Sequence, residues 1–156
     1  MALVSPHCKR MPDNQQKAMH ELIVQQLKYE MEACKCLLNF ITDENVHLKN
    51  RLAEMVKASL EINLLSEMEN YLSKFVAQDE YINLLKNDVA KTENRLWEQI
   101  HGVDEIVNDI YPGLRLLQSN VFKIEELFVI LRRDFNNFLC ERIIHMQGLT
   151  KFAERG

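Results

Sequence analysis

Between Val24 and Met55, apolar residues recur at alternating steps of three and four. Residues 24, 27, 31, 34, 38, 41, 45, 48, 52 and 55 read Val, Leu, Met, Cys, Leu, Ile, Asn, Leu, Leu and Met, so nine of the ten are apolar. Steps of this kind hold side chains on one narrow stripe of an α-helix, and such a stripe leaves water only by packing against another helix. The remainder of the chain is therefore expected to supply the partner helices.

Composition agrees with an all-α chain. Gly occurs four times and Pro three in 156 residues, too few for the tight turns of an all-β or loop-rich α/β fold. Neither occurs between Asp13 and His101, and an uninterrupted run of good helix formers predicts long helices. The expected fold is an elongated antiparallel coiled coil or a three- to four-helix bundle.

Read in order, residues 1–12 form a leader interrupted by Pro6 and Pro12, residues 13–152 a single helical domain, and residues 153–156 a frayed end. Asp13, three residues before Gln16, resembles a capping box and marks the first helix start. Beyond Met55 the stripe slips: Leu65, Met68, Leu72 and Phe75 continue it one residue out of phase. A second shift, to Ile82, Leu85, Val89, Thr92 and Leu96, places a sharp reversal at 77–79, with Asp79-Glu80 as an acidic first turn. His101-Gly102 is a weak point, and Tyr111-Pro112-Gly113 is the clearest break, because Pro-Gly continues a helix poorly. The last helix carries Leu117, Val121, Ile124, Phe128, Leu131, Phe135 and Phe138 on one stripe, widened by Leu127 and Leu139. Such width suits a core touched by more than one helix.

Asn45 is the polar exception in the first stripe. It has two readings: a buried Asn that fixes register, or a local break in which Thr42 caps a new helix and a four-helix bundle results. The seam and interface candidates are Leu38, Ile41, Asn45, Leu48, Leu52, Trp97, Phe128, Phe135 and Phe138.

Chemistry-bearing patterns are sparse. The four glycines assemble no phosphate-cradling loop. Net charge is −4 and no Lys/Arg run exceeds two residues, which gives no basic face for nucleic acid or anionic membrane. The longest apolar run, Leu127 to Leu131, is far too short to span a bilayer. Cys8, Cys34, Cys36 and Cys140 form no CxxC pair and fit a reducing, cytoplasmic setting. Two Glu-x-x-His pairs, Glu44/His47 and Glu98/His101, have the spacing used by di-iron carboxylate bundles. With Asn45 and Leu48 inward, however, His47 points outward. With Leu96 and Ile100 inward, Glu98 and His101 face water.

The segment LLNFITDENVHLKNRLAEMV (37–56) resembles a stretch of short, uncharacterised coiled-coil proteins of Bacteroidetes-type bacteria, and LRRDFNNFL (131–139) is similar to their C-terminal helix. The resemblance implies a cytoplasmic helical protein with no assigned activity, and it assigns no site residue. The expected role is non-enzymatic: protein–protein interaction by self-assembly or scaffolding. The partner is a second copy or another helical protein, and no cofactor, metal, nucleic acid, membrane or small-molecule ligand is expected. A ferritin-like di-iron bundle and a regulator that captures a partner helix are the alternatives.

Overall fold

In the computed structural model, the described residues are 12–58, 62–98, 102 and 105–155. Among them are three long α-helices and no strand: α1 (Asp13–Ala58), α2 (Ile62–Trp97) and α3 (Tyr111–Glu154). They form an up-down-up bundle. Lys35 pairs with Glu93 and Lys49 with Asp79, so α1 and α2 run antiparallel. Glu30 meets Arg115 and Glu44 meets Arg132, so α1 and α3 run parallel. At 1.5 Å per residue, the 46 residues of α1 extend about 69 Å.

α1 starts where expected. The Pro12 carbonyl accepts the N–H groups of Gln15 and Gln16 at 2.8 and 3.1 Å, and Asp13 places a negative charge at the positive end of the helix. The stripe then does what its spacing demands: Leu27, Met31, Cys34, Leu38, Ile41, Asn45, Leu48, Leu52 and Met55 are all buried. Nothing breaks at Thr42. Its hydroxyl donates to the Leu38 carbonyl at 2.8 Å, one turn back in the same helix, so it caps nothing and the four-helix alternative falls.

The reversal expected at 77–79 is absent. α2 passes straight through those residues, and the chain turns instead between Ala58 and Ile62. Leu64, Met68, Phe75, Ile82, Leu85, Val89 and Leu96 are buried, with Tyr71 half-buried between them. That stripe keeps one heptad phase from end to end. Its continuity is masked in the sequence because Gln78 occupies a seam position, and because Leu65 and Leu72, expected inward, are exposed neighbours of the true seam residues.

The expected break at Tyr111-Pro112-Gly113 is also corrected. The helix is already wound before it: Ile106–Ile110 form one π turn that runs directly into α3. Pro112 has no N–H to give and its ring crowds the carbonyl four residues back. The wider turn accommodates this, with the Tyr111 N–H reaching the Ile106 carbonyl. Ile106, Ile110 and Leu114 thus extend the α3 stripe through Leu117, Val121, Ile124, Phe128, Leu131, Phe135, Phe138 and Leu139, all buried. Leu127 is not part of that core and is 54% exposed. α3 continues to Glu154, past the expected fraying point. Of the leader expected at 1–12, residues 1–11 lie outside the described residues, as does His101.

Two levels of the core differ in chemistry. Toward the α1–α2 turn, Phe75 meets Phe135 edge-on with ring centroids 5.1 Å apart, and Tyr71 lies 5.2 Å from Phe135 and 5.0 Å from Phe138. Such pairs add about 0.5–1.5 kcal/mol beyond area burial. Nearer the middle, fully buried Asn45 donates from Nδ2 to Asp79 Oδ1 at 3.1 Å, while Lys49 holds the other Asp79 oxygen. Asn45 Oδ1 and Gln78 Oε1 are buried without a protein partner.

Candidate functional site

The seam residues singled out in the sequence are spent within the chain. Leu38, Ile41, Leu48, Leu52, Phe128, Phe135 and Phe138 all belong to one intrachain core, and Asn45 is sealed among them. Apart from Trp97, none of these candidates offers its side chain to a second molecule. Trp97 is 55% exposed and carries the Lys28 ammonium 3.7 Å from its ring centroid. That contact ties the end of α2 to α1 through a cation–π interaction, worth about 0.5–1 kcal/mol at an exposed site.

Glu44 and His47 do not converge with Glu98, the described member of the second Glu-x-x-His pair. Trp97 lies beside Lys28, whereas Glu44 is sixteen residues further along α1, about 24 Å at 1.5 Å per residue. Glu44 turns toward Arg132 at 4.0 Å, and His47 and Glu98 are exposed. Among the described residues, no group of three His, Cys, Asp or Glu side chains is placed to hold a metal ion.

The nearest approach to a reactive cluster is Cys34 beside Glu30 and Arg115 in the α1–α3 groove. Its chemistry runs against nucleophilic use. Burial, and secondarily the Glu30 charge, push the Cys34 thiol above its ordinary value and so disfavour the thiolate. Cys36, two residues on, is exposed on another face of α1 and shares nothing with Cys34.

What remains is apolar surface. Many seam residues stand next to a second apolar residue that faces out. Phe75 is buried and Val76 exposed; Met55 buried and Val56 exposed; Leu117 buried and Leu116 exposed; Val121 buried and Phe122 exposed. These doublets are visible in the sequence, but only the structure says which member is inside. One group lies where α1 and α2 meet on their outer side. Ala53 and Val56 of α1 face Leu65 and Leu72 of α2 there, over the edges of Leu52 and Met68. Sequence reasoning missed this groove because it placed Leu65 and Leu72 in the core. No helix among the described residues is long and apolar enough to cross a membrane.

No protein-family model matches the chain, and no curated protein or solved structure matches it.

Proposed function

We propose that this chain is a non-enzymatic coiled-coil assembly protein whose working surface is the outside of its helices. One observation carries the reading: with the core filled by each helix's own stripe, a second population of large apolar side chains stays exposed. It includes Val56, Leu72, Leu84, Leu116, Phe122, Leu127 and Ile144, each 40% to 69% exposed. Scattered apolar residues on a surface are ordinary, but contiguous ones mark association sites. The seam candidates thereby take a supporting role: they make a stiff rod, and the rod presents the faces.

Light scattering behind a sizing column, with metal analysis of the same peak, tests this. The expected result is a metal-free dimer or higher oligomer at micromolar concentration. A compact monomer carrying bound iron would overturn the reading and make Glu44, His47, Glu98 and His101 the residues to mutate.

A further inference from the structure

We propose that the outer α1–α2 groove is a two-fold interface in which α1 of one copy lies against α2 of a second copy of this chain. The inference rests on the self-assembly reading and names the surface that performs it.

The groove follows from helical geometry. Successive residues turn about 100° around a helix, so the residue after each seam position sits on one consistent flank. On α1 and α2, the residues that follow seam positions include Val46, Val56, Leu65, Leu72 and Val76, all at least 38% exposed, and of these Val56, Leu65 and Leu72 line the groove. The intrachain pairs Lys35–Glu93 and Lys49–Asp79 lie on this same flank, which shows that both helices turn it toward each other. The result is an open apolar trough of about 470 Å³, floored by Leu52 and Met68.

Its rims decide the occupant. Lys49 and Asp79 pair with each other within the chain, which leaves Lys57 as the free charge named on the α1 rim and Glu69 on the α2 rim. A two-fold axis parallel to the helices sets α1 over α2 of the other copy at the same level. Lys57 then approaches the partner subunit's Glu69, and each apolar flank covers the other. The surface is thus complementary to itself, as an isologous interface requires, and opposed charges fix the register of approach.

Sedimentation equilibrium of the full chain and four variants tests the proposal, with helicity followed by circular dichroism. Leu72→Glu places a charge in the trough, and Phe122→Glu places the same charge in the α1–α3 groove. The wild type is expected to dimerise, Leu72→Glu to weaken dimerisation at least about tenfold, equivalent to about 1.4 kcal/mol, and Phe122→Glu to leave it unchanged. Lys57→Glu is expected to weaken it too, and Lys57→Glu with Glu69→Lys to restore it, a readout independent of how Leu72→Glu folds. A dimer that withstands Leu72→Glu, or a double variant that fails to restore, overturns the groove assignment and leaves self-assembly standing. A wild type that stays monomeric at about a hundred times a micromolar dissociation constant overturns both.

Discussion

The inner stripe and the outer trough are built from neighbouring residues of the same two helices, yet they follow different rules. The inner stripe runs the length of the bundle and keeps one heptad phase on each helix, through Gln78 on α2 and Asn45 on α1. The outer trough is confined to the half of the bundle nearest the α1–α2 turn and has charged rims. Further from the turn, the same flank carries the Lys35–Glu93 pair, and its exposed Trp97 is covered by Lys28. A periodic stripe is what a fold needs, because any gap leaves a cavity. A short apolar patch with charged edges is what a surface needs if it is to meet one partner in one orientation.

Substitutions should separate the two regions by size of effect. Phe135→Ala removes a fully buried ring that touches Tyr71, Phe75 and Phe138, and is expected to cost about 3–5 kcal/mol in denaturant unfolding. Asn45→Ala comes next, at about 2 kcal/mol, from losing a hydrogen bond to a charged group. Asn45→Leu should fall within about 1 kcal/mol of wild type, because leucine burial offsets that hydrogen bond. Leu72→Ala, in the trough, should change monomer stability by no more than about 0.5 kcal/mol. A Leu72→Ala cost comparable to that of Phe135→Ala would mean the trough belongs to the core after all.

The Lys35–Glu93 pair should likewise give a small effect. Its hydrogen bond holds the Glu93 carboxyl below its ordinary value and the Lys35 ammonium above its own. The Glu93 contribution is present above the usual carboxylate range and is lost as pH falls through the lowered value. The Lys35 contribution is present below the usual lysine range and is lost as pH rises through the raised value. Both side chains are about a third exposed, so the pair contributes less than about 1 kcal/mol. Unfolding midpoints of Glu93→Gln and wild type should therefore differ slightly at pH 7 and converge in acid.

Much of the fold was legible because period-3.5 spacing is a strong signal when nothing interrupts it. The α1 stripe from Leu27 to Met55 and the α3 stripe from Leu117 to Phe138 are buried as their spacing requires. Errors arose where one polar residue or one doublet broke the pattern. Gln78 in the α2 seam looked like a phase shift and suggested a turn. Leu64-Leu65 and Tyr71-Leu72 offered two phases, and local sequence cannot choose between them without knowing where α1 lies. The sequence joining α1 to α2, Ser-Leu-Glu, has no Gly or Pro to announce the reversal. Pro112-Gly113 announced a break that the first turns of a helix can absorb. The surface was less legible than the core for the same reason: exposed apolar residues have no period of their own and are defined by what the seam leaves over.

The central claim is that the seam is filled within one chain and that association uses only the outside. Far-UV circular dichroism on serial dilution, paired with fluorescence-detected sedimentation, tests it directly. The account predicts that sedimentation falls to the monomer value while helicity stays unchanged. Helicity lost in step with dissociation would mean that the stripes need a second chain to be buried, and would contradict it.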